Sequence, residues 1–303
     1  MYAAIDIGGT KIAAGLVDAG GELVVRHERP TPAREPAAAV DALLAVLLAD
    51  PRWEQVRAVG IGSAGPIDAA KGTISPVNIP AWRDFPLVAR VADLTGRDVI
   101  LAGDGVAMAA GEHWRGAAKG RENVVCMVVS TGVGGGLILG GKLRPGPSGN
   151  AGHIGHMCVE LEGPPCPCGA RGCLEVIASG TAIAARAVRE GWRPPSGTPA
   201  EAGAAEVAAS ALAGDPIALA SFDRSARALA AAIAGTAALV DIEAAVIGGG
   251  VAKSGELLFG PLRTHLKEYA RLSFTRDLTV HPAALGGDAG LIGAAALVGH
   301  AAV

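Results

Sequence analysis

The chain opens with three short apolar runs punctuated by glycine. "YAAIDIGG", "KIAAGLVDAGG" and "ELVVRHERP" predict three strands in succession, with "AGG" as the second turn. Residues 35–50, "EPAAAVDALLAVLLAD", predict a helix with Pro36 near its start and apolar residues along one face. "VRAVGIGSAG" then reads as a buried strand, "VADLTG" as the close of a helix, "DVILAGDG" as a strand and "VAMAAGEHWRG" as a helix. Three adjacent strands followed by alternating helix and strand describe an α/β lobe.

The same order restarts at residue 123. "NVVCMVVS", "GVGGGLILGG" and "KLRPG" repeat the sequence of strand, glycine turn and strand, and a cysteine-rich insertion and long Ala-rich helices follow. "AAVIGGGVAKSG" and "LTVHPAAL" predict two late strands, and "GLIGAAALVGH" a final helix. The two halves share a pattern but not residue identity, so one architecture is used twice.

Composition narrows the classes. At 303 residues, half of them hydrophobic, the chain is long enough for two cores. Only 3% of residues are aromatic and the formal net charge is −3, so there is neither a stacking platform nor a basic field, and no nucleic-acid partner is expected. The opening "MYAAIDIGGT" has no basic region followed by an apolar core and cleavage site, which points to a cytoplasmic protein. No membrane association is expected either. The longest apolar stretch, around residues 229–240, is shorter than the ~18–20 residues a spanning helix needs and reads as a buried helix.

Two glycine turns, "DIGGTK" (Asp6 to Lys11) and "STGVGGG" (Ser130 to Gly136), each link one apolar strand to the next. Glycine lets backbone N–H groups converge on a phosphate, yet each turn taken alone reads first as a plain hairpin. Neither matches the P-loop or the dinucleotide fingerprint. Two such turns opening similar halves favour a nucleotide, with the hydroxyls of Thr10, Ser130 and Thr131 on phosphate oxygens and Asp6 near the accompanying metal. Asp104 stands where an apolar strand gives way to a helix, either as a general base for a substrate hydroxyl or as a helix cap.

Counted from His156, the stretch "GHIGHMCVELEGPPCPCGARGCLE" has the form H-x9-C-x-C-x4-C. His156, Cys166, Cys168 and Cys173 supply the four N/S donors that a structural zinc wants, on a turn loosened by Gly169 and Gly172. Cys126 and Cys158 lie outside the pattern and read as buried free thiols. Such a knot would hold His153, His156 and Glu175 together as partners for the hydroxyls of a small polyol, the alternative for His153 being a solvated loop residue.

The motifs "AIDIGGTKIAAGLVD", "STGVGGGLI", "AGHIGHMCVE…CPCGARGCLEVIASG" and "DAGLIGAAAL" together resemble the ROK family of sugar kinases and repressors. That resemblance covers essentially the whole chain. It implies two ribonuclease-H-like lobes of the actin-like ATPase fold with an interlobe cleft and a zinc-binding loop. The expected division is a small lobe at 1–117, completed by a C-terminal helix at 288–303, and a large lobe at 118–287 carrying the knot at 156–173.

The implied activity is ATP-dependent phosphorylation of the 6-hydroxyl of a hexose or N-acylhexosamine, with Mg2+ and a structural Zn2+. Carried over by position, Asp104 is the base, and Asn78, Gly103, Asp104, His153, His156 and Glu175 contact sugar. Asp6, Gly8, Gly9, Thr10, Lys11, Thr131, Gly132, Gly134 and Gly249 contact the nucleotide, and His156, Cys166, Cys168 and Cys173 ligate zinc. A homodimer is expected on the same ground.

Two departures bear on substrate. Most relatives read Asn-Asp where this chain has Gly103-Asp104, so an amide on a sugar hydroxyl is missing. "GHIGH", with His153 in place of the Glu of most glucose kinases of the family, resembles the bacterial N-acetylmannosamine kinases. N-acetylmannosamine is therefore the expected substrate, with glucose or an amino-hexose as alternatives. The repressors of the family carry a helix-turn-helix ahead of the first phosphate motif, for which "DIGGTK" at residue 6 leaves no room.

Overall fold

The computed structural model describes residues 1–9, 11–32, 35–76, 80–195, 197 and 202–300. In chain order the first stretch forms β1 (Tyr2–Ile7), β2 (Lys11–Val17), β3 (Leu23–Pro30), α1 (Pro36–Leu48), β4 (Ala58–Ser63), β5 (Ile67–Asp68), β6 (Thr73–Ile74), α2 (Leu87–Thr95), β7 (Asp98–Gly103) and α3 (Asp104–Arg115). β8 (Val124–Val129), β9 (Val133–Leu139), β10 (Lys142–Leu143), α4 (Glu175–Ala178), α5 (Gly180–Arg189), α6 (Ala204–Leu212) and α7 (Pro216–Val240) come next. The chain closes with β11 (Ala244–Gly248), α8 (Glu256–Tyr269), β12 (Thr279–Pro282) and α9 (Ala289–Gly299).

The chain divides into two compact units, one comprising residues 1–122, 136–152 and 284–303, the other residues 123–135 and 153–283. In unit one the sheet order is β3-β2-β1-β4-β7, with β1–β2–β3 antiparallel and β1–β4–β7 parallel. The second sheet has the order β10-β9-β8-β11-β12 and repeats the topology, with β8–β11–β12 parallel and β9–β10 antiparallel. One architecture is used twice. The copies differ at their third strand, which runs eight residues in β3 and two in β10.

In unit one, buried side chains of β1, β2 and β4 pack with Leu43, Leu44 and Leu47 of α1 and with Trp82 and Leu87. α9 covers the sheet at close range, which its glycines and those facing it allow. A Cβ on Gly60 of β4 would lie 1.8 Å from the Ala294 carbonyl oxygen, and one on Gly293 would lie 2.1 Å from that of Ala107 in α3. Glu112, fully buried in α3, accepts N–H bonds from Ala117 (2.7 Å), Ala284 (3.1 Å) and Leu285 (3.0 Å), tying α3 to the segment that enters α9.

In unit two every residue of β11 is buried, as a strand between two parallel neighbours requires. The Ala-rich segment around residues 229–240 is the C-terminal half of α7, a 25-residue helix with Pro216 in its first turn and Asp215 as its cap. The Asp215 carboxylate accepts from the N–H groups of Ile217 and Ala218, both at 2.9 Å. Among the described residues no helix is long and apolar enough to cross a membrane.

Candidate functional site

The first glycine turn lies in unit one. β1 leaves the sheet after Ile7, Gly8 N–H donates to the Lys11 carbonyl at 2.9 Å, and β2 begins at Lys11. Thr31 Oγ donates to the Gly8 carbonyl at 2.8 Å, bracing the turn from the β3 side. Gly9 is exposed, with no described atom beyond its chain neighbours near the place a side chain would take, and the Lys11 ammonium pairs with Glu28 at 3.0 Å. Thr10 and Asn78 lie outside the described residues.

Asp6 faces inward at the end of β1. Burial, and then the Asp104 carboxylate, push its pKa up from 3.8 to about 6, against the lowering effect of Lys11 and Arg26. A Cβ on Gly290 of α9 would lie 2.2 Å from the Asp6 carboxylate, so this helix also needs glycine here to admit that side chain. Two interacting carboxylates are what a divalent cation would neutralise.

Gly103 ends β7 in extended conformation and caps α3, and Asp104 is the first helical residue. The cap is therefore Gly103 rather than Asp104. Asp104 Oδ1 accepts the Gly105 N–H at 2.7 Å, and the helix N-terminus favours its charge. Among the described residues, chain neighbours apart, no heavy atom lies within 4 Å of a Cβ built on Gly103.

The second turn, in unit two, is held by several neighbours. Ser130 N–H donates to the Gly132 carbonyl at 2.9 Å, Gly180 N–H to the Ser130 carbonyl at 2.7 Å, and Thr181 Oγ to the Thr131 carbonyl at 2.9 Å. Gly249, with φ of 91°, follows β11 so close to β8 that a Cβ would lie 2.4 Å from the Val129 carbonyl oxygen. It is brought beside the same turn, whereas Gly134 lies inside β9.

Glu175 begins α4, two residues after the last cysteine of the knot, and its Oε2 accepts the Val133 N–H at 2.9 Å. A Cβ on Gly132 would come within 2.5 Å of that oxygen, so Gly132 is what lets the carboxylate reach the turn. The rings of His153 and His156 stack with centroids 5.0 Å apart and planes at 14°. Burial and the neighbouring His156 lower the His153 pKa, opposed by the Glu175 charge.

The ligand atoms of His156, Cys166, Cys168 and Cys173 all lie within 4.8 Å of one another. Cys166 Sγ is 3.6 Å from His156 Nδ1, and Cys168 Sγ is 3.8 Å from Cys173 Sγ. A tetrahedral zinc with Zn–S of ~2.3 Å and Zn–N of ~2.0 Å has S–S edges of about 3.8 Å and S–N edges of about 3.5 Å, so these two edges fit. Burial pushes the Cys173 thiol to about 12, while the Ala170 N–H lowers Cys168.

The loop closes on itself through Val159 N–H to the Gly172 carbonyl (2.9 Å), Leu174 N–H to the Met157 carbonyl (2.9 Å) and Cys166 N–H to the Ala170 carbonyl (2.8 Å). Cys126 is buried as expected. Cys158 is not: it is exposed, and it forms an isolated antiparallel bridge directly opposite Cys173.

The model of the ROK family matches residues 2–301. The chain belongs to the ROK family. It is 38% identical over 305 residues to a glucokinase of Thermotoga maritima, covering 97% of this chain and 96% of that protein. It is 41% identical over 297 residues to an N-acetylmannosamine kinase of Escherichia coli, covering 97% of each. The structure of a ROK family glucokinase from Streptomyces griseus in complex with glucose and AMPPNP superposes with a TM-score of 0.85 at 36% identity, over 98% of both chains. The fold of this ROK protein is thus that of the ROK sugar kinases, the actin-like ATPase fold.

Proposed function

We propose that this ROK protein is an ATP-dependent kinase for the 6-hydroxyl of a hexose or N-acylhexosamine, with N-acetylmannosamine as its best substrate. The observation that carries the reading is Asp104, a carboxylate at the first turn of α3 beside Gly103, where no described atom beyond the chain neighbours crowds the place of a side chain. There Asp104 would take the proton from the hydroxyl as that oxygen attacks phosphorus. Asp6 and the two glycine turns would hold Mg2+ and the phosphates. Mg2+ supplies charge neutralisation on the transferred group. His153, His156 and Glu175, held on the zinc-bearing loop, would bond the sugar hydroxyls.

The choice of N-acetylmannosamine rests on His153 and on the 41% identity to kinases of that sugar. Replacing an acceptor-only carboxylate by an imidazole changes which substituent can be satisfied, and an unpaired buried polar group costs ~1–3 kcal/mol. A coupled ADP-release assay with ATP and Mg2+ over glucose, mannose, N-acetylglucosamine, N-acetylmannosamine and glucosamine tests the reading, with NMR locating the phosphate. Highest kcat/KM on N-acetylmannosamine and a 6-phosphate product support it. Highest kcat/KM on glucose makes His153 a tolerated variation in a glucokinase, and no turnover on any sugar removes the kinase assignment.

A further inference from the structure

Cys158 is the one cysteine of the loop that the metal cluster does not use. It forms an isolated antiparallel bridge with Cys173. The two flanking bonds, Val159 N–H to the Gly172 carbonyl and Leu174 N–H to the Met157 carbonyl, make Cys158 and Cys173 a non-hydrogen-bonded pair. In such a pair the Cα atoms are ~4.5 Å apart and the side chains leave the ribbon on the same side, and a disulfide spans Cα separations of ~4.4–6.8 Å. The two residues differ in access, Cys158 being exposed and Cys173 fully buried. An accessible thiol thus stands across one rung from a buried cluster donor.

We propose that Cys158 and Cys173 form a peroxide-oxidisable pair, with Cys158 as the entry point and Cys173 as the resolving thiol. Hydrogen peroxide is the oxidant. The Cys158 thiolate attacks one peroxide oxygen; the S–O bond forms, the O–O bond breaks, and the departing hydroxide takes a proton to become water. The Cys173 sulfur then attacks the Cys158 sulfenic acid; the S–S bond forms, the S–O bond breaks, and hydroxide again leaves as water. One peroxide is reduced to two waters as two thiols lose two electrons. Because Cys173 is then spent, the metal cluster keeps only His156, Cys166 and Cys168. The knot, from which Glu175 emerges, loses its fourth donor. This inference adds oxidation to the zinc reading and does not depend on which sugar is phosphorylated.

The test uses the purified zinc-loaded protein, its metal content measured first by elemental analysis, treated with hydrogen peroxide. Two readouts are followed: metal release to a chromogenic chelator, and non-reducing peptide mapping by mass spectrometry. The expected result is a Cys158–Cys173 linked peptide appearing together with the released metal, reversed by dithiothreitol and added zinc. In Cys158→Ser, release slows by ~10-fold, because the remaining thiols are buried or metal-bound and less open to peroxide. Linkage confined to Cys166, Cys168 and Cys173, or release from Cys158→Ser at the original rate, overturns the proposal. Protein that carries no metal as purified refutes the zinc reading separately, and the peptide map still decides whether the pair oxidises.

Discussion

The carboxylate of Glu175 accepts the backbone N–H of Val133 at 2.9 Å, so the residue that follows the metal knot also holds the second glycine turn. A hydrogen bond to a charged acceptor contributes ~1.5–3 kcal/mol. In Glu175→Ala the Val133 N–H loses its partner and the turn loses its brace. ADP binding measured by calorimetry without sugar should weaken by ~10-fold, which corresponds to about 1.4 kcal/mol. Sugar is omitted so that any role of Glu175 toward hydroxyls does not enter. Unchanged ADP affinity would mean that the turn is held well enough by Ser130, Gly180 and Thr181.

Asp104→Asn keeps the shape of the side chain and can still accept the Gly105 N–H, so fold and sugar binding should survive. What it removes is the capacity to take a proton. General base catalysis contributes ~10²–10⁴-fold, and kcat should fall by that much with little change in sugar affinity. A variant with near-normal kcat would show that Asp104 is not the base.

Gly103→Asn tests the departure beside the base. The backbone there has φ of −63° and ψ of 150°, accessible to any L-residue, and among the described residues, chain neighbours apart, no heavy atom lies within 4 Å of the added Cβ. The substitution should leave the melting temperature nearly unchanged while lowering KM for the preferred sugar through one added hydrogen bond, worth ~1 kcal/mol or about 5-fold. A large fall in stability would contradict the open space at this position, and an unchanged KM would place the sugar out of its reach.

Much of the fold was legible because central strands are buried and largely apolar, as β4 and β11 are between two parallel neighbours and β1 and β8 are beside one. The repeat was legible for the same reason. β5 and β6 were not, being two residues each, paired with one another and, through Ile74, with Phe85. Glu112 and Asn150 were also missed. Glu112 bonds N–H groups as far as 173 residues away, and Asn150 bonds the Ile67 carbonyl 83 residues away. A side chain that satisfies distant backbone leaves no local pattern. The metal cluster was readable because its four donors fall within 18 positions, whereas the exposure of Cys158 depends on how the loop folds back on Cys173.

For the knot, elemental analysis should find about one zinc per chain. Cys168 is exposed and its Sγ lies 3.8 Å from that of Cys173, so Cys168→Ser removes a donor without opening a cavity in the core. The variant should lose most of its zinc and melt at lower temperature, and added zinc should restore the wild-type protein but not the variant after chelator treatment. Equal melting temperatures with and without metal would make the cluster a set of thiols with no structural role.

The pH dependence of stability follows from Asp6. Its folded pKa is raised from 3.8 to about 6 by burial and by Asp104, so the folded state holds this proton more tightly than the unfolded state. Below pH 3.8 both states are protonated and the group contributes nothing. Between 3.8 and about 6 the unfolded chain has released its proton while the folded chain keeps it, and stability falls as pH rises. Above that window the full penalty is present, about 3 kcal/mol for a shift of roughly two units. Asp6→Asn removes the charge. The ligand-free variant should therefore match wild type near pH 4 and exceed it in melting temperature at pH 7–8, the gap opening across the window. Thermal melts at closely spaced pH values read this directly, and a gap that is constant with pH would mean that Asp6 titrates at its ordinary value.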